Sequence, residues 1–196
     1  MNWKTLLFVT LIAYGAYQHF ANRAVTHTPG EIASQAPQQT STNTASFIHH
    51  GYTITPLENF TLAARVLGRE YYRLDRGAKL SPVDLALGWG PMSDETVLSN
   101  IQISQGNRFY YWRAATLPIP QQQIETHSAN MHMIPASDDV EDILHAVKVG
   151  QKIQLQGYLV KATSDDGFTW KSSLTREDTG FGACELVYVT QASIAN

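Results

Sequence analysis

The chain has 196 residues, of which 43% are hydrophobic and 16% are charged, and its formal net charge is −3. This length fits one domain with extensions. A slightly acidic balance argues against a general nucleic-acid-binding protein, which normally carries a basic excess, so we expect no nucleic-acid partner. The one cysteine, Cys184, excludes both an intramolecular disulfide and a zinc site built from several thiolates.

The N-terminal segment is short and largely apolar. Lys4 is the only charged residue before Arg23, and most residues between them are apolar. Spanning a bilayer takes about 20 apolar residues, so the segment suits a signal peptide or an uncleaved signal anchor. Because no convincing cleavage site follows, residues 1–23 are predicted to be a signal anchor, with residues 5–20 in the inner (cytoplasmic) membrane. Lys4 is expected to stay in the cytoplasm, which places the rest of this single-pass chain outside it, in the periplasm where an outer membrane is present.

Residues 24–45 are rich in Thr, Ser, Gln, Ala, Asn and Pro and contain few large apolar side chains. Such a segment buries too little surface to offset the entropy of ordering it. It is predicted to be a disordered spacer that holds the domain away from the membrane. The extracytoplasmic domain is then predicted to occupy residues 46–192.

The first half of this domain predicts both strands and short helices. Residues 52–55 alternate as in a strand, whereas residues 60–74 fit a strand or a helix. We favour the strand, because Gly68 disfavours a helix interior by about 1 kcal/mol and can form a β-bulge. The run Ser81-Pro82-Val83-Asp84 predicts a helix start, and Ser93-Asp94-Glu95 predicts a second one.

The second half is predicted to be mainly β. Two strands flank the turn at residues 105–107, and a helix starts at Ser137 and ends near Val147. Alternating residues from Ile153, the turn signal Asp165-Asp166-Gly167, and the runs 168–174 and 184–190 predict further strands, with a loop at 178–182. The predicted fold class is α+β, a small mixed sheet or partly open β-barrel with short helices.

Several segments are similar to known sequences: 81–94, 127–136, 157–160, 172–176 and 184–189. Together they resemble a group of uncharacterised bacterial membrane-anchored proteins with a single N-terminal helix. The resemblance covers about residues 52–189. It implies the anchored topology, but the group has no assigned activity, so it implies no catalytic residue.

His127, Asn130 and His132 form the first candidate cluster, since histidines on a short rigid segment often bind metal. Their i to i+5 spacing differs from the zincin pattern, and an extended backbone would point the two histidines to opposite sides. A third ligand could come from Asp178, Glu185 or His145. The alternative, in which one histidine packs in the core and the other bonds a loop, is favoured. No cofactor is therefore predicted, with zinc as the alternative.

The second candidate site pairs Cys184 as nucleophile with His127 or His132 as base, oriented by Asn130 or Asp178. Cys184, however, opens an apolar run that predicts a core strand, where alternation sends either Cys184 or Glu185 inward. A buried thiol beside Leu186 is the favoured alternative.

A third feature combines aromatic and basic residues, with Trp112, Arg113, Trp170 and Arg176 as candidate binding residues. Aromatic faces stack on sugars, and arginines pair with anions. Strand alternation sends Tyr110 and Trp112 one way and Tyr111 and Arg113 the other, so half of the first group should be core.

These observations give two functional hypotheses. The first is a non-enzymatic, membrane-tethered module that binds a protein or glycan partner in the cell envelope. The second is an envelope hydrolase or metalloprotein that uses His127 or His132 with Cys184 or Asp178. The first is favoured, because the sequence contains no phosphate-binding loop, nucleophile elbow or metal-binding cysteine pair.

Overall fold

The computed structural model describes residues 2–21, 23–175 and 184–195. Its helices are α1 (Trp3–Ala21), α2 (Glu95–Leu98), α3 (Gln121–Thr126) and α4 (Asp138–Ala146), with a 3-10 turn at Gly90–Ser93. The strands are β1 (Gln38–Ser41), β2 (Phe47–His49), β3 (Tyr52–Tyr71), β4 (Val83–Gly88), β5 (Gln102–Gly106), β6 (Phe109–Arg113), β7 (Ser128–Pro135), β8 (Lys152–Ser164), β9 (Thr169–Lys171) and β10 (Glu185–Ala195). The fold is therefore mixed α+β, with one large sheet.

Five strands of the large sheet form a closed ring. The order runs β3-β4-β7-β10-β8, and β8 pairs again with β3 along most of its length. Neighbours are antiparallel except β7 and β10, which are parallel. Strands β1, β2 and β9 extend the ring, whereas β5 and β6 form a separate hairpin.

The interior of the ring holds the main hydrophobic core. Alternate residues of each strand point inward, as in Phe60, Leu62 and Ala64 of β3 and Val83, Leu85 and Leu87 of β4. Helix α4, between β7 and β8, adds Val140 and Leu144 to this core. A second cluster lies between the outer face of β4 and the β5–β6 hairpin, which covers it with Tyr110 and Trp112.

The long strand β3 confirms the strand interpretation of residues 60–71. It pairs with β8 through its first part and with β4 through its last part. Its pairing register with β4 shifts between Val66 and Gly68, so Leu67 is the extra residue of a bulge next to the glycine, as predicted for this position.

The helix predicted from Ser81-Pro82-Val83-Asp84 is wrong, since residues 83–88 form strand β4. All six residues of β4 are buried, because the core covers one face and the hairpin the other. A short apolar run of this kind cannot be distinguished from a buried helix by periodicity. The Ser-Pro pair before it is typical of a helix start, so it favoured the wrong element.

The other predicted helices and strands are confirmed with small changes in their bounds, and the predicted loop at 178–182 lies outside the described residues. Helix α2 has Asp94 as its N-cap, and α4 has Ser137, whose hydroxyl accepts a hydrogen bond from the Val140 amide at 3.4 Å. The β5–β6 and β8–β9 hairpins form at the predicted turns.

The segment that precedes β2 differs from the predicted flexible spacer, because much of it is bound to the domain. The Val25 amide donates to the Val149 carbonyl at 2.8 Å, and His27 Nε2 lies 2.8 Å from the Gly150 carbonyl. Ala33 is buried, and its carbonyl accepts from the Gly90 amide. Residues 38–41 then pair with β3 as β1. Backbone hydrogen bonds hold this segment to the domain, and amino-acid composition gives no indication of such bonds.

Helix α1 carries exposed apolar side chains from Trp3 to Tyr14. Among the described residues, none of the helices combines the length and the apolar character needed to cross a membrane.

Candidate functional site

A cleft of about 1000 Å³ opens at the end of the ring where β3 leaves for β4. It lies between that connection, the turn of the β5–β6 hairpin, the middle of β7, the β8–β9 hairpin and the start of β10. We call it the Arg108 cleft, and its main lining residues are Tyr72, Arg108, His132, Phe168, Trp170 and Cys184.

Arg108 is the centre of this cleft. Its Nε and Nη2 donate to the two oxygens of Asp75 at 3.0 and 2.8 Å, and its Nη1 donates to Asp84 Oδ1 at 2.8 Å and to the Ser81 carbonyl at 2.9 Å. A planar guanidinium suits such a bidentate pair. Four donated bonds fix the side chain in one position.

The position of Arg108 depends on an uncommon backbone conformation in the hairpin turn. Asn107 and Arg108 have φ angles of 53° and 69°, in the left-handed region that a tight hairpin turn requires. For a side chain of this size the region is unfavourable by about 1–2 kcal/mol. The surrounding bonds therefore hold a strained turn, as is frequent where a residue must be aimed at a site.

Tyr72 supports both the backbone and the side chain of Arg108. Its hydroxyl accepts a hydrogen bond from the Arg108 amide at 3.0 Å, and the guanidinium carbon lies 3.6 Å from the centre of its ring. Burial raises the pKa of Tyr72, which keeps the phenol protonated at neutral pH.

Asp84 and His132 face each other across β4 and β7, on the outer face of the ring. The Asp84 side chain is fully buried, and its Oδ1 lies 2.9 Å from His132 Nδ1 as well as 2.8 Å from Arg108 Nη1. Asn130 Nδ2 lies 3.4 Å from Asp84 Oδ2. Hydrogen bonds from Arg108 and Asn130 therefore compensate for the burial of this carboxylate, and His132 lies beside it without a hydrogen bond.

The His132 imidazole is contacted from two sides. Asp84 lies at its Nδ1, and the Trp170 ring lies 4.7 Å away from its ring centre. The geometry between Nδ1 and the carboxylate does not form a hydrogen bond, so His132 Nδ1 is a buried nitrogen without a hydrogen-bond partner.

Cys184 lies just before β10 and is half-buried. Its Sγ lies 4.0 Å from the Arg108 carbonyl oxygen. Glu185, by contrast, is buried on the face of β10 that also carries Val187 and Val189. Of the two residues, Glu185 is the inward one, and the favoured interpretation of Cys184 as a buried core thiol is wrong.

The structure separates the two candidate histidines. His127 follows α3, and its Nδ1 lies 3.0 Å from the Gln123 carbonyl, whereas His132 lies five residues along β7 beside Asp84. Within the described residues, no group of three His, Cys, Asp or Glu side chains is placed to hold a metal ion.

The candidate aromatic and basic residues also separate. Trp112 packs against the cluster beneath the hairpin and Arg113 is exposed, whereas Trp170 lines the cleft. The predicted alternation of β6 is confirmed, because Tyr110 packs inward and Tyr111 is exposed. Arg176 and Asp178 lie outside the described residues.

Asp75, Tyr72 and Asp84 were missed as site residues by the sequence analysis. Asp84 carried a usable signal, because it is the one charged residue in the otherwise apolar run Val83–Leu87. A buried carboxylate is rare unless it is paired, so such a residue predicts a specific partner. The identity of that partner, 24 residues further along, depends on the hairpin and has no local signal.

Comparisons of the chain with protein-family models, curated proteins and solved structures give no match. The function must therefore be argued from the cleft.

Proposed function

We propose that the chain is a membrane-tethered module of the cell envelope that binds a glycan strand in the Arg108 cleft. The apolar N-terminal segment with its single early lysine supports the anchor, in the inner membrane with the domain in the periplasm. The cleft supports the binding function.

The observation that carries the proposal is the lining of the cleft. Phe168 and Trp170 come from the β8–β9 hairpin and Tyr72 from the opposite side. Aromatic faces of this kind stack on sugar rings, and polar groups held in fixed positions around them hydrogen-bond hydroxyls. Trp170 thus retains the role predicted from the sequence, whereas Trp112 packs elsewhere.

The charges of the cleft are matched only in part. Arg108 is matched by Asp75 and Asp84, and Arg76 pairs with Asp166 at its rim. Arg73 and Lys171 line the cleft without an ion pair among the described residues. Basic side chains of this kind can pair with carboxylates of a glycan strand, beside aromatic rings that contact its sugar units.

The strand order gives independent support at the level of the fold. A ring of five strands in the order first, second, third, fifth, fourth, with a helix between the third and fourth, is the arrangement of the OB-fold. In OB-folds the loops after the first and fourth strands bind oligonucleotides and oligosaccharides. The corresponding connections here border the Arg108 cleft, and the net charge of −3 disfavours nucleic acid. This support is an analogy of fold and does not identify the sugar.

The proposal is tested by titrating the full chain, in detergent micelles, with soluble β-1,4-linked N-acetylated oligosaccharides and measuring binding by calorimetry. Trp170→Ala should weaken binding by at least about fivefold, since one stacked ring contributes about 1–3 kcal/mol and 1.4 kcal/mol is tenfold. The matched control is Tyr111→Ala, which removes an exposed aromatic ring of the hairpin outside the cleft. Equal affinity in both variants and the parent, or binding only of added peptides, would reject the glycan proposal.

A further inference from the structure

We infer that the ligand of the Arg108 cleft carries carboxylates, and that Arg73 and Lys171 bind them while the aromatic rings contact the sugar units. The inference rests on the proposed glycan-binding function and names the class of glycan, an acidic strand such as one that contains uronic acid units. It assigns the discrimination between acidic and neutral strands to two exposed side chains.

The positive charge of these two side chains is available to a ligand. The other arginines of the cleft, Arg108 and Arg76, are bound to aspartates. Arg73 and Lys171 are exposed, and neither forms an ion pair within the part of the chain that the structure describes. Such cations can donate charge-assisted hydrogen bonds to a carboxylate without first breaking an internal pair.

The backbone around Arg73 is held on both sides. The Tyr72 amide donates to the Pro82 carbonyl at 2.9 Å. Asp75, two residues after Arg73, accepts from the Arg108 guanidinium with both of its carboxylate oxygens. Because the residues before and after it are attached in this way, Arg73 loses less conformational freedom when a ligand binds.

Lys171 has an unfavourable neighbour in the sheet. It lies on β9 directly opposite Lys161 of β8, and like charges in this position destabilise a pair of strands. On its other side Lys161 pairs with Thr55, which carries no charge. An anion bound beside Lys171 offsets the repulsion between the two lysines, so this pair favours an acidic ligand over a neutral one.

The unmatched charge of the cleft is opposite in sign to the charge of the whole chain. The formal net charge is −3, whereas Arg73 and Lys171 add positive charge to a concave site. A local charge of this kind raises the concentration of an oppositely charged ligand at the site. Because Phe168 and Trp170 line the same cleft, the ligand that fits it best combines ring faces with negative charge.

A surface that is merely solvated makes a different prediction. Arg73 and Lys171 would then serve only solubility, and carboxylates on the ligand would add nothing to its affinity. Acidic and neutral strands of the same length and linkage would bind equally well. The ratio of these two affinities therefore separates a recognition role from a solvated surface.

The test compares a neutral β-1,4-linked N-acetylated oligosaccharide with the same oligosaccharide oxidised to carboxylates at C6. Each is titrated by calorimetry into the full chain in detergent micelles. The oxidised strand should bind about fivefold more tightly at low salt, which corresponds to about 1 kcal/mol from two exposed ion pairs. Raising the salt to about 0.5 M should bring the ratio of affinities towards one, because salt screens exposed charges.

The residues are assigned by their effect on this ratio. Arg73→Gln and Lys171→Gln should each lower it to about twofold, and the double variant should lower it to about one. Arg73→Lys, which keeps the charge, should keep most of the preference. The matched control is Arg113→Gln, an exposed arginine of the β5–β6 hairpin outside the cleft, which should keep the ratio of the parent.

Equal affinity of the parent chain for the two strands overturns the inference and leaves the glycan proposal standing. A preference that survives in the double variant also overturns it, since the carboxylates are then bound by other residues. Absence of binding by both strands rejects the inference together with the glycan proposal. An oligoglutamate of the same charge that binds as tightly as the oxidised strand overturns the inference too, because such a ligand has no sugar rings.

Discussion

Arg65 and Arg108 are both bound to carboxylates in this domain, and their surroundings differ. Arg65 Nη2 lies 2.5 Å from Glu95 Oε2, and the same oxygen accepts the His27 amide at 2.9 Å. The N-terminal segment encloses this pair. The Arg108 pairs instead border an open cleft lined by aromatic rings.

Buried ion pairs also occur in purely structural networks, so such a pair does not by itself mark a functional site. The Arg65–Glu95 pair is in contact with the His27 amide, so it joins the N-terminal segment to the domain. The Arg108 site combines a saturated guanidinium with groups that face the cleft, namely Trp170 and His132. Function is therefore expected where charge pairs fix the position of neighbours that remain accessible.

The largest expected effect comes from breaking the Arg108 site. Arg108→Ala leaves the buried Asp84 carboxylate without its guanidinium, and loss of one partner of a buried pair costs about 3–5 kcal/mol. The free energy of unfolding from urea titration measures this loss. Arg113→Ala, an exposed arginine of the same hairpin, should change it by less than about 0.5 kcal/mol. A loss below 1 kcal/mol in Arg108→Ala would mean that Asp84 is not held as described.

The attachment near Arg65 is tested by two glycines with similar backbone angles. A Cβ at Gly150 would lie 1.8 Å from the Val25 carbonyl oxygen, whereas a Cβ at Gly167 meets nothing within 4 Å. Both have positive φ, +90° and +85°, so each alanine adds a strain of about 1 kcal/mol. Gly150→Ala should lose about 2–3 kcal/mol in thermal unfolding and Gly167→Ala about 1. Equal losses would show that Val25 can move away without cost.

Glu95→Gln sharpens the comparison through pH. The His27 amide, and then Arg65, hold the pKa of Glu95 below its ordinary range. A lowered carboxyl pKa contributes stability that is present above the unfolded pKa and is lost as the pH falls through the folded pKa. The variant should be about 1.5 kcal/mol less stable at pH 7. The gap should begin to close near the ordinary glutamate pKa of about 4.3, and should go on closing as the pH falls through the lower folded pKa, when denaturation is followed from pH 7 to pH 3. A gap that is constant with pH would contradict the charged hydrogen bonds.

The smallest effect concerns the base of the hairpin that carries Arg108. Ser128 Oγ donates to the Ile124 carbonyl at 2.6 Å, so the Tyr110 hydroxyl, 2.7 Å away, donates to Ser128. Tyr110→Phe removes this bond and should cost about 1 kcal/mol in urea unfolding. Burial raises the pKa of Tyr110, so its phenol should ionise above the ordinary tyrosine range. An alkaline absorbance titration of the parent should therefore show a late step that the variant lacks. An unchanged titration curve would place Tyr110 outside the cluster.

The sequence allowed much of the fold to be predicted where local patterns decide it. Residues of β3 alternate, Ser137 caps α4, and the turn at Asp165–Gly167 joins two strands, because these signals act over a few residues. Strand β4 was misassigned because both of its faces are buried, so periodicity is lost. Closure of the ring depends on the pairing of β3 with β8, which are about 100 residues apart. Pairing at this sequence distance has no signal in the local sequence.

The candidate site was predictable in parts. Trp170, His132 and Cys184 were identified by residue type, and all three line one cleft. Their grouping with Asp84 and Arg108 was not predictable, since it follows from the cross-strand pairing of β4 with β7 and from a left-handed hairpin turn.

The hydrogen bond between Val25 and Val149 has a consequence for the geometry of the proposed anchored state. Helix α1 ends at Ala21, so only three residues separate it from the first residue bound to the domain. Four extended Cα–Cα steps span at most about 14 Å. A connection this short would hold the domain against the lipid headgroups. The domain could then bind only ligands that lie close to the membrane surface.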